Sequence, residues 1–152
     1  MLLLLLGSCS SKPETIVKIN LNPIPFSIEV PLEIAKHLSI ENMLTTSPNE
    51  FTQQAKNAGA IAQIYINYRA VDGKLHGFAA LYYFKKTDFE KAGNPNEPPL
   101  YGSMVVEEKS MVLAIAGPQD SIFDPLTQDG KNSMDLYTII YEPSSYTPTS
   151  LD

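Results

Sequence analysis

The chain has 152 residues, 43% hydrophobic and 18% charged, which suits one domain with a real core and excludes a disordered or wholly membrane-embedded chain. A net charge of −6 argues against nucleic acid as a partner, because that demands a basic patch. The single cysteine, Cys9, leaves no intramolecular disulfide, so packing alone must stabilise the fold.

The first element is the apolar run Leu2 to Leu6, followed by Gly7-Ser8-Cys9. An apolar run ending in small residues is the exit of a secretory signal. Leu6-Gly7-Ser8-Cys9 resembles the lipobox of bacterial lipoproteins, whose pattern is Leu, a small residue, Gly/Ala/Ser, then Cys. The resemblance implies that residues 1–8 are a signal peptide to be removed and that the Cys9 sulfur carries diacylglycerol with fatty acyl chains such as palmitate. The chain would then sit on the extracytoplasmic face of the cell membrane as a lipid-anchored envelope protein. Each buried methylene adds about 0.8 kcal/mol, and stable anchoring takes two chains. No Lys or Arg precedes Cys9 and the run is short for a signal, so the true start is expected upstream. The other reading is a chance apolar start with an ordinary free thiol. The run is too short to span a bilayer, which needs about 20 apolar residues.

Residues 9–15 read as anchor and tether, 16–142 as a single domain, and the Pro/Ser/Thr-rich 143–152 as a flexible tail. Ile16 to Leu21 is a first strand. Phe26 to Val30 alternates with period two between Pro25 and Pro31, as a short strand does. Pro31 can open a helical turn through Leu32 to Lys36, and His37 to Glu41 fits helix or strand. Ser47-Pro48-Asn49-Glu50 predicts a helix start with Ser47 as N-cap and Glu50 closing a capping box. Phe51, Ala55 and Ala58 would share its thin apolar face, with Gly59 as the stop.

Ala62, Ile64, Ile66 and Tyr68 alternate with Gln63, Tyr65, Asn67 and Arg69, giving one apolar and one mixed face. Asp72-Gly73 predicts a type I′ turn, and Leu75 to Phe84, apolar on both faces, predicts a central strand. Thr87 to Ala92 reads as a short helix capped by Thr87 and ended at Gly93, and residues 94–99 as a rigid surface loop. Met104 to Val106 and Met111 to Ala116 form a second hairpin around residues 107–110. Met134, Leu136, Tyr137, Ile140 and Tyr141 make a broad helical stripe. The expected fold class is α+β: an antiparallel sheet built from hairpins, a C-terminal helix packed on one face, and short peripheral helices.

Phe26 to Pro31, the strand-to-helix join Leu81 to Phe89, and Ala116 to Asp120 running on to Phe123-Asp124-Pro125 are similar to a small domain of uncharacterised lipoproteins from Firmicutes-type bacteria. Such domains often carry a tryptophan where this chain has Leu32 to Ala35, and this chain has no Trp. The resemblance implies a secreted α+β domain and supplies no activity.

Few residues point to chemistry. His37 and His76 lie far apart without a second ligand at metal spacing, which suits surface or satisfied histidines. Neither Gly-x-Ser-x-Gly nor a phosphate loop occurs. Asp120, Asp124, Asp129 and Gly130 lack the spacing of a calcium loop and read first as turn residues. Glu107 and Glu108, adjacent on a strand, would point to opposite faces and suit a solvated hairpin tip. No metal, cofactor or catalytic residue is therefore assigned. One binding strip remains: Gln63, Tyr65, Asn67 and Arg69 could hold a glycan or peptide by stacking and hydrogen bonds, against the plainer reading of cross-strand pairing or cover by a helix. The leading expectation is a non-enzymatic module binding an envelope protein or a cell-wall glycan or peptide. The alternatives are a small extracytoplasmic hydrolase and an accessory or inhibitory subunit docking through a sheet edge.

Overall fold

The computed structural model describes residues 14–43, 49–93, 99–118 and 120–149. The elements in chain order are β1 (Ile16–Asn20), β2 (Phe26–Pro31), α1 (Leu32–Ala35), β3 (Leu38–Asn42), α2 (Glu50–Asn57), β4 (Ala60–Arg69) and β5 (Leu75–Lys85). They continue with α3 (Lys86–Ala92), β6 (Ser103–Glu108), β7 (Met111–Ala116), α4 (Gln128–Tyr141), a 3-10 turn (Pro143–Ser145) and β8 (Tyr146–Pro148). The class is α+β. All strand pairs are antiparallel, in two sheets ordered β1-β2-β8 and β3-β4-β5-β7-β6.

The five-stranded sheet is covered on both faces. Its first face (Ala62, Ile64, Ile66, Tyr68, Leu81, Leu113 and Ile115) meets Phe26, Ile28 and Val30 of β2, Ile34 of α1, and Leu136 and Ile140 of α4. Tyr82 and Phe84 of β5 alternate with Leu81 and so face the other way. There they pack with Ala55 of α2, Ala60 and Tyr101, flanked by Phe89 of α3. The both-sided apolar run of β5 follows from this: it is the middle strand and has layers above and below.

The long hairpin forms as read, with a different turn. Asp72 is not left-handed; Gly73 alone is, at φ +87°, and Gly73 N–H donates to Ala70 C=O across Val71 and Asp72. That is a turn closed by one left-handed glycine, since only that position needs the freedom glycine supplies. The two-residue left-handed turn occurs instead in the β6–β7 hairpin, at Lys109 (φ 48°) and Ser110 (φ 64°). Residues 38–42 are a strand, because β3 pairs with β4 from Leu38↔Tyr68 to Asn42↔Ile64.

Three helical expectations are corrected. Asn49 caps α2, its Oδ1 accepting from Thr52 N–H at 2.9 Å; Ser47 and Pro48 lie outside the described residues. Thr52 and Ala55 form the buried face of α2, while Phe51 is 66% exposed. No side chain caps α3, which begins at Lys86 after Lys85 and ends against Gly93. On α4 the inward face is Gly130, Asn132, Ser133, Leu136 and Ile140, so Met134 and Tyr137 fall outside the stripe. The expected frayed tail is also corrected over residues 143–149. Ser27 and Ile28 of β2 pair with Thr147 and Tyr146, and Tyr146 is buried with its hydroxyl donating to Ile140 C=O at 2.6 Å. The loop read over residues 94–99 lies outside the described residues up to 98, as does Cys9. Among the described residues no helix is long and apolar enough to cross a membrane.

Candidate functional site

The strip Gln63-Tyr65-Asn67-Arg69 does not form one open platform. Gln63 is fully buried opposite Tyr82, under the layer that includes α2, and neither atom of its amide has a hydrogen-bond partner. The Tyr82 hydroxyl is nonetheless near enough for that amide to moderate the phenol, whose pKa burial pushes up to about 12. Asn67 is buried beside Gly77, and the Arg69 guanidinium donates to Gly73 C=O at 2.9 Å, which ties it to its own hairpin turn. Of the four, Tyr65 is half-buried and Arg69 exposed, while Gln63 and Asn67 are closed off from solvent.

Tyr65 borders a shallow hollow of about 280 Å³ whose floor is small: Gly77, Ala80, Ala116 and Gly117, with Pro118 at its end. Tyr65, Ala80 and Ala116 lie side by side across β4, β5 and β7. Phe78 and Pro118 also line a second hollow of about 390 Å³, between α4 and the segment that follows β7. Ile122, Met134 and Tyr137 supply its apolar wall, and Asp120 and Asp135 its acidic rim. The two hollows meet where β5 bulges: the register passes from Ile66↔Ala79 to Asn67↔Gly77, leaving Phe78 over.

Both histidines come to one place that their separation in sequence hides. His37 stacks on Tyr68 at 5.2 Å, Tyr68 meets Phe123 at 5.3 Å, and Phe123 meets the edge of His76 at 5.0 Å. The Tyr68 hydroxyl donates to Asp129 Oδ1 at 3.0 Å and accepts from Asn132 at 3.1 Å. Asp129 also accepts from Val71 N–H at 3.0 Å, pinning the β4–β5 turn to the first turn of α4. His37 Nδ1 lies 2.6 Å from Arg69 C=O. Each polar atom named here has an intramolecular partner, and the cluster ties the hairpin to the helix.

The acidic residues separate in the same way. Asp124 Oδ1 accepts from Leu126 N–H at 2.9 Å within its own turn. Among the described residues no three His, Cys, Asp or Glu side chains gather as metal ligands would. Glu107 pairs with Lys86 at 2.8 Å, which raises the lysine pKa, while Glu108 lies by Lys109 at 3.8 Å. Tyr146 is pushed up by burial, and neither it nor Tyr82 lines one of the hollows just described. Asp72 is pulled below the usual carboxylate range by hydrogen bonds from Lys74, on an exposed turn.

The chain matches no protein-family profile, no curated protein and no solved structure at a significant level.

Proposed function

We propose that this chain is a lipid-anchored cell-envelope lipoprotein whose domain binds a partner and catalyses no reaction. The carrying observation is Leu6-Gly7-Ser8-Cys9 directly behind the leucine run and a few residues ahead of a domain that starts at Ile16. Cys9 supplies the thiol for diacylglycerol, and residues 10–15 are the tether. Binding is favoured over hydrolysis by the character of the hollows, which combine small floors, apolar walls and exposed carboxylates. A hydrolase needs a nucleophile held by a base, and a base held by a third group. Here Tyr68 is hydrogen-bonded to Asp129 and Asn132, while His37 meets it by ring stacking alone and has its Nδ1 beside Arg69 C=O, so the pair is not arranged as a hydroxyl held by an imidazole base.

The test is expression in a bacterium behind an export-competent leader, followed by intact-mass measurement and detergent-phase partition. The expected product begins at Cys9, carries the added mass of at least two acyl chains, and enters the detergent phase. Cys9→Ser should move it to the aqueous phase. A chain that keeps its leucines and an unmodified thiol would overturn the reading.

A further inference from the structure

We infer that the paired hollows meeting at Phe78 and Pro118 are a docking cleft for a basic, apolar polypeptide segment of a partner protein. This deepens the binding reading above by naming its surface and the chemistry of its ligand.

The apolar side of the cleft is exposed and contiguous. Ile122 is 41%, Met134 55% and Tyr137 45% exposed, on two segments that face each other across one hollow. Scattered exposed apolar residues are ordinary, whereas a contiguous wall with a polar rim marks an interaction surface. Methionine and tyrosine are also suited to such a role. A thioether adapts to varied side chains, and a phenol offers large contact area at low entropic cost. Tyr137 is held by Tyr141, with ring centroids 4.6 Å apart, so its ring is partly ordered before anything binds.

Charge selects the partner. Asp120 and Asp135 line the same hollow and are exposed. None of the ion pairs among the described residues involves either carboxylate, and Lys131, one turn earlier on α4, does not reach Asp135. A lysine or arginine from a partner would find two carboxylates free of competing cations, beside the Tyr137 ring on which a cation can also rest. Shape favours a polypeptide over a small molecule. The hollows, about 390 and 280 Å³, lie on the α4 side and on the Tyr65–Ala80–Ala116 side of the sheet. They share Phe78 and Pro118 just beyond the last β5–β7 pair, Ala80↔Ala116, so one segment passing that edge can put side chains into both.

The test uses the full chain and a fluorescein-labelled dodecapeptide of alternating leucine and lysine, read by fluorescence anisotropy. The same peptide with glutamate for lysine is the charge control. Tight binding of the lysine peptide alone is expected. Asp120→Asn combined with Asp135→Asn should weaken it at least tenfold, and Tyr137→Ala should weaken it as well. Glu29→Gln with Glu90→Gln removes the same net charge elsewhere and should leave it unchanged. Amide chemical-shift changes should concentrate at residues 77–80, 116–117, 120–122 and 133–138. Equal losses from both double variants would show attraction to net charge only and overturn the cleft. So would self-association of the chain abolished by Tyr137→Lys, which would make a second copy the occupant, or binding of spermine that displaces the peptide at equal affinity. None of these outcomes depends on acylation, so failure here leaves the Cys9 reading standing, and an unmodified Cys9 leaves the cleft standing.

Discussion

Gly130 sets how closely α4 can approach the turn before it. A Cβ at that position would lie 2.0 Å from the Asp124 carbonyl oxygen and 2.7 Å from Pro125 Cα, both backbone atoms that cannot swing aside. The same residue donates its N–H to the Thr127 cap at 3.0 Å, so displacement would also loosen the helix start. Gly130→Ala is therefore expected to lower unfolding free energy by at least about 2 kcal/mol, in the upper range for single substitutions. Urea denaturation checks this, and a loss below about 0.5 kcal/mol would contradict the close approach. Tyr82 gives a prediction in pH. Its folded pKa, about 12, stands above the 10.0 of a free phenol, so folding favours the protonated form. Stability from this group is full below pH 10.0 and is lost as pH rises toward about 12. Burial moves Tyr68 and Tyr146 in the same direction. The thermal midpoint should fall across this alkaline window, less steeply in Tyr82→Phe. A midpoint that is flat, or falls equally in both proteins, would contradict the assignment.

β8 shows how much a short element can hold. It adds three residues to the edge of β2, yet Tyr146 stands edge-on to Phe26 at 6.4 Å and its hydroxyl reaches back to the last turn of α4. Removing that ring opens a cavity between β2 and α4. Tyr146→Ala should cost about 3–5 kcal/mol and Tyr146→Phe about 1 kcal/mol, a graded pair readable by denaturant unfolding. Equal, small losses would mean that the segment is frayed after all. Its composition hid it: Pro, Ser and Thr carry no strand periodicity, and one buried tyrosine in eight residues makes no pattern. The hairpins were legible because the period of two in β4 and the both-sided apolar run of β5, with Asp72-Gly73 between them, specify two strands joined by a turn. The binding strip was not, because polarity does not imply exposure: Gln63 lies under the second layer. The apolar run through Tyr82 and Phe84 was the available sign that this face is covered too. The helix stripe misled similarly. α4 approaches through Gly130 and Ser133, whose small size permits contact, so larger residues beside them face outward.

At the scale of the molecule, the net charge and the proposed tether would act against each other. A net charge of −6 is repelled by an anionic leaflet. The chain from Cys9 to Ile16 spans at most about 25 Å, which would keep the domain beside the leaflet that repels it. On the proposed anchoring, acyl chains must supply all the membrane affinity and overcome this repulsion, which takes two chains rather than one. Screening then has an unusual sign. Added salt weakens the repulsion, so the acylated chain should bind phosphatidylglycerol vesicles slightly better at physiological ionic strength than at low ionic strength. The Cys9→Ser chain should remain in the supernatant at both. Cosedimentation of the Cys9→Ser chain at low salt, released by added salt, would reveal a basic membrane-binding face and make the anchor dispensable.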